Sequence, residues 1–205
     1  MNRYFSAYVL AFAAPLALAA CAQAPAEPAP LAEGAWSVDA GASSLSYVSV
    51  KAGEIAESNS FSGLSGSVSP EGAASVEIDL ATIETKVDIR NERMRDIFFE
   101  VAEFPTASVS AQIDPAAFET LAIGESMVQP LKATLNVKGV EAPVDTQVSV
   151  TRTGENGVLV TSIEPVIIYA DALKLTEGLA TLQELAGLPS ITPAVPVSFS
   201  IAFRR

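Results

Sequence analysis

The sequence predicts an all-β domain, a closed antiparallel barrel of about eight strands carrying one or two short helices. Three observations lead there. Apolar and polar residues alternate with a period of two along most of the chain, as in "SVEIDL" and "VPVSFSIAFRR". Gly, Pro or Asn separates most of these runs, with "SPEG" and "TGENG" suited to hairpin turns. Helical periodicity occurs at only two places. So many half-buried strands would leave exposed edges in an open sheet, and closure removes them.

Residues 1–20 come first. "MNRYFSAYVLAFAAPLALAAC" joins a positive residue, Arg3, to an apolar run and a small-residue end, the pattern of a secretory signal. Pro15 interrupts a run barely long enough to span a bilayer. Leu18-Ala19-Ala20-Cys21 resembles the lipobox of bacterial lipoproteins, which implies cleavage before Cys21 and acyl chains on it. Such chains, at ~0.8 kcal/mol per buried CH₂, hold a protein on a membrane without a spanning helix. The alternative is an ordinary signal peptide cut after Ala19 or Ala20. Ala22, where inner-membrane lipoproteins resemble one another in having Asp, points to the periplasmic side of the outer membrane; an unlipidated chain would be periplasmic. Residues 21–33, "CAQAPAEPAPLAE", read as an extended Pro/Ala-rich tether. The folded domain is expected over 34–205.

Within it, alternation predicts strands near 43–51, 61–69, 75–80, 106–113, 131–138, 143–152, 158–163 and 195–203. Val195, Val197, Phe199, Ile201 and Phe203 share one face of the last of these. "TEGLATLQELAG" is a helix, with Leu179, Leu182 and Ala186 as its stripe, Thr176 as N-cap and Gly187 as stop. "RNERMRDIFF" is the second. Met94 and Phe98, four apart, would lie against the barrel while most of the charge faces outward. Pro105 then marks the entry to the next strand.

Four stretches together carry a family resemblance: "WSVDAGASSLSY", "IRNERMRDIFFEVAEFPTASVSA", "LKATLNVKGVEAPV" and "VPVSFSIAF". In this order they resemble YceI-like proteins over roughly residues 35–205. The resemblance implies a lipocalin-like barrel whose apolar interior holds a polyisoprenoid chain, such as a quinone or polyprenyl lipid. It also implies an exported protein. The chain departs from the family pattern at Ala42 and near Ala52, where histidines are common, and in the "DALKLTEGLATLQELAGLPSI" insertion.

The candidate ligand-lining residues are Tyr47, Phe61, Met94, Phe98, Phe99, Phe104, Leu135, Tyr169 and Phe199. Strand periodicity alone leaves open whether they enclose a guest or fill a dry core. A filled barrel would make the protein a structural or partner-binding envelope component. Arg90, Arg93 and Arg95 either meet a polar head group or form a solvated helix face paired with Asp88, Glu92 and Asp96. Arg90, which matches the family's arginine, is the candidate for ligand contact.

The totals exclude other classes. A net charge of −12 argues against nucleic acid, which needs a basic surface. The absence of histidine removes Ser-His and Cys-His machinery and imidazole metal ligands. Asp39, Asp79, Glu84, Asp88 and Asp96 show no spacing that pairs two carboxylates for hydrolysis. The expectation is therefore a non-enzymatic protein with no cofactor beyond a bound lipid. Its partners would be an apolar isoprenoid-type lipid and a membrane, and a homodimer is left open.

Overall fold

The computed structural model describes residues 34–205; the expected signal peptide, Cys21 and the tether lie outside the described residues. Twelve strand segments form one antiparallel sheet. They are β1 (Trp36–Val38), β2 (Ser44–Lys51), β3 (Ile55–Phe61), β4 (Leu64–Val68), β5 (Ala73–Asp79) and β6 (Ile83–Glu84). There follow β7 (Thr106–Gln112), β8 (Ser126–Val137), β9 (Val140–Gly154), β10 (Gly157–Ser162), β11 (Val166–Tyr169) and β12 (Ala194–Arg204). Four successive pairs, β1 with β2, β3 with β4, β5 with β6 and β10 with β11, are each one strand broken in the middle. The wall is therefore an eight-stranded meander. β12 closes it by pairing with both β1 and β2.

The breaks lie on strands to either side of the unbroken β12 and share one device. Ser43 Oγ accepts from Ala202 N at 2.9 Å, and Thr82 Oγ1 accepts from Gly63 N at 2.9 Å. Ser162 Oγ accepts from Phe199 N at 3.2 Å. Side-chain hydroxyls thus take over where the ladder stops, so the buried backbone donors stay satisfied. The opposite wall, β7 to β9, runs unbroken.

Local chemistry explains the turns. β8 and β9 join through Lys138 and Gly139, both at positive φ (52° and 75°), the conformation that a two-residue hairpin demands. "SPEG" closes β4 to β5, with Gly72 N donating to Ser69 O at 2.9 Å. "TGENG" joins β9 to β10 with a register shift at Gly157.

Both helical regions occur where expected. α1 (Asp88–Arg93) passes into a π-helical turn, Met94–Phe98. α2 spans Thr176–Leu185, and its cap is Leu175 rather than Thr176, without a side-chain cap bond. Gly187 does end it: at φ 61°, its N–H reaches Glu184 O at 3.0 Å and the Leu188 N–H reaches Gln183 O at 3.0 Å. Among the described residues no helix is long and apolar enough to cross a membrane.

Four strand segments depart from the sequence reading. β1, β3 and β6 were not expected, and β11 appears in a run, "VIIY", that has no alternation. β3 escapes the pattern because its inward positions include Glu57 and Asn59, which are polar.

Candidate functional site

The barrel is hollow. A cavity of about 1440 Å³ runs along its interior, larger than the roughly 300–1,000 Å³ usual for small-molecule sites. The inward faces of the strands make its wall, including Val76 and Val109 on one side and Val160, Ile168 and Val197 on the other. Period-two alternation puts these β-branched residues on the concave face.

Aromatic rings form a continuous strip from β2 and β3 to the end of the π-helical turn. Tyr47 and Phe61 lie 6.0 Å apart between centroids, Phe61 meets Phe99 edge-on at 5.9 Å, and Phe99 meets Phe98 at 4.9 Å. Met94 and Phe99 are buried in the main core cluster.

Most of the sequence candidates face this space: Tyr47, Phe61, Arg90, Met94, Phe98, Phe99 and Phe199 all line the cavity. Three are placed elsewhere. Leu135 lies between two lining residues, Ala133 and Val137, but is taken up by the packed core. Phe104 sits outside the cavity under Lys138, whose Nζ stands 5.8 Å from the ring centroid. Tyr169 is 55% exposed, because its neighbours Ile168 and Ala170 face inward and strand parity turns it out.

The arginines separate. Arg95 does not line the cavity, whereas Arg93 does, and Arg93 Nη1 donates to Leu185 O at 3.3 Å. Arg90 points into the barrel: Nη1 donates to Glu57 Oε2 at 2.6 Å and Nη2 to Thr85 O at 2.5 Å. Arg90, the residue set apart from the solvated helix face in the sequence, thus finds its carboxylate on β3 and not on its own helix. Asn91 fixes α1 for this contact. Its Oδ1 accepts from Thr85 N at 2.8 Å and from Thr85 Oγ1 at 2.5 Å, and both residues are buried.

Glu57 also pairs with Lys51 Nζ at 2.9 Å. Burial pushes the Glu57 carboxyl up, but hydrogen bonds and charge from Lys51 and Arg90 outweigh it and hold the group below its ordinary value. Burial likewise raises the Tyr47 hydroxyl, despite Arg90 nearby, so Tyr47 stays neutral. Sequence reading missed Lys51, Glu57 and Asn59, because only the β2–β3 register places them inside beside Tyr47.

The YceI-like domain model matches residues 36–203, nearly the whole described domain. The chain belongs to the YceI-like family. Among solved structures, this YceI-like chain is similar to a polyisoprenoid-binding domain from Saccharophagus degradans implicated in plant cell wall breakdown. The two are 40% identical with a TM-score of 0.81, covering 84% of this chain and 99% of that one. BcnA of Burkholderia cenocepacia shares the fold at 19% identity and a TM-score of 0.60, over 80% of this chain and 98% of that one. No curated protein matches the YceI-like chain.

Proposed function

We propose that this protein binds and carries an apolar isoprenoid-type lipid within the barrel. The observation that carries the reading is the 1440 Å³ interior walled by Val, Ile and aromatic side chains. A polar metabolite would lose its hydration there for little return, whereas an alkyl chain gains on entry. Each five-carbon unit contributes roughly 4 kcal/mol, at about 0.8 kcal/mol per buried carbon. The likeness to the polyisoprenoid-binding domain from Saccharophagus degradans, 40% identical, supports the same class of guest. No bond is made or broken in this role.

Extraction of the purified protein with organic solvent, followed by mass spectrometry, tests the reading. A prenyl lipid at about one per chain is the expected result. An empty extract, together with no uptake of added prenyl lipid by the delipidated protein, overturns it.

We further propose a place in the cell envelope, with acyl chains on Cys21 as the membrane anchor. The support is the signal-like run ending in Leu18-Ala19-Ala20-Cys21 and the Pro/Ala tether after it. Cys21→Ser is expected to move the mature protein from the membrane fraction to the soluble one. Retention of that variant on membranes at high salt contradicts the anchor.

A further inference from the structure

One buried amide in the cavity wall lacks a partner. Asn59 faces Tyr47 across the β2–β3 ladder and is only 3% exposed. Its orientation is set by its own hydrogen bonds. Nδ2 donates to the Glu57 carbonyl oxygen at 3.3 Å and to Ser49 Oγ at 3.0 Å. A backbone carbonyl only accepts, so exchanging the amide oxygen and nitrogen would set two acceptors against each other. Oδ1 is thereby left as an acceptor, buried and without a hydrogen bond, on a residue that lines the cavity.

A donor is orphaned on a second residue that lines the cavity. Arg90 spends Nη1 on Glu57 and Nη2 on Thr85, and its Nε is buried with no acceptor. Glu57 links the two groups: it shares β3 with Asn59, two positions away on the same face, and its carboxylate holds Arg90. Each buried polar atom left unpaired costs about 1–3 kcal/mol, and native structures keep few of them. Here an unpaired acceptor and an unpaired donor belong to two residues that line one lipid-sized cavity and are linked through Glu57.

The complement must donate and accept at once. A hydrocarbon does neither. A quinone carbonyl or an ionised phosphate accepts from Arg90 Nε but sets another acceptor against Asn59 Oδ1. A hydroxyl satisfies both atoms, donating to Oδ1 and accepting from Nε. Resting on the lipid-carrier reading, we infer that Asn59 and Arg90 form a subsite for the hydroxyl head of an apolar-chain alcohol or hydroquinone.

The test uses delipidated protein and five probes that share one prenyl chain: the alcohol, the hydroquinone, the quinone, the monophosphate and the bare hydrocarbon. Competition against a fluorescent prenyl probe reads each affinity. The alcohol, the hydroquinone or both are expected to bind about tenfold more tightly than the other three. Whichever of the two is preferred identifies the source of the hydroxyl. Asn59→Leu should bring the preference to within about twofold while hydrocarbon binding persists. Arg90→Lys keeps a cation for Glu57 but removes Nε, and should do the same; it carries the test alone if Asn59→Leu does not fold. Equal binding of all five probes to the wild type, or a preference that survives Arg90→Lys, overturns the subsite and leaves the carrier reading intact. Binding of no probe overturns both.

Discussion

Arg90 and Glu57, 33 residues apart in the chain, meet at 2.6 Å on the inner wall of the barrel. The contact joins α1 to β3, and Glu57 holds Lys51 at the same time. One carboxylate is therefore shared by two cations that line an apolar space, and the trio keeps one positive charge in excess. Glu57→Gln leaves both without their counter-charge. We expect a stability loss of about 2 kcal/mol at neutral pH, less than for a fully buried pair because these side chains are about a quarter exposed. Urea unfolding measures it, and a change within error of zero means that water already screens the group.

The same carboxylate gives a pH signature with a definite sign. Its value in the folded protein lies below the ordinary 4.5, so its contribution is complete above that pH and disappears as pH falls through the lowered value. The unfolding curves of wild type and Glu57→Gln should differ at neutral pH and converge as the pH falls well below the ordinary carboxylate value. A gap that stays constant throughout means that the Glu57 charge contributes nothing to stability.

Two glycines should respond very differently to alanine. Gly66, at φ 143° within β4, would place a Cβ 2.1 Å from the Ser75 carbonyl oxygen of the neighbouring strand. Backbone must move, and Gly66→Ala should cost about 3 kcal/mol or more. Gly187, at φ 61°, has open space around it, so Gly187→Ala carries only the conformational penalty of about 1 kcal/mol. Thermal unfolding of the two variants distinguishes these costs, and equal shifts would count against the close strand approach at Gly66.

Leu135 and Leu45 separate stability from binding. Leu135 is packed in the core, whereas Leu45 lines the cavity and is only half-buried. Leu135→Ala should cost about 3–4 kcal/mol with prenyl affinity unchanged. Leu45→Ala, which borders space that is already empty, should cost about 1–2 kcal/mol and weaken lipid binding. The reverse pattern in denaturation and binding would show that the cavity wall is drawn wrongly here.

How much of this the sequence revealed depended on which face each residue occupied. β12 was legible because Val195 to Phe203 alternate without a fault, and β8 was legible for the same reason. β3 was not, since Glu57 and Asn59 occupy positions where the pattern calls for apolar side chains. That fault in the pattern was itself the trace of the polar subsite. Tyr169 was misplaced because "VIIY" offers no alternation from which to set parity. Arg90 was reached through family likeness, whereas Lys51 and Glu57 became visible only once the register set β2 against β3. Whether the barrel was hollow lay beyond periodicity altogether, because a valine facing a cavity and a valine facing a core obey the same alternation.

Ser43, Thr82 and Ser162 act only at the breaks, since the segments on either side keep their backbone ladders with the neighbouring strands. At each such point one side-chain hydroxyl stands in for a missing carbonyl. The barrel can therefore alter the course of a strand part-way along its wall without leaving an amide bare, and it turns these corners without opening an edge.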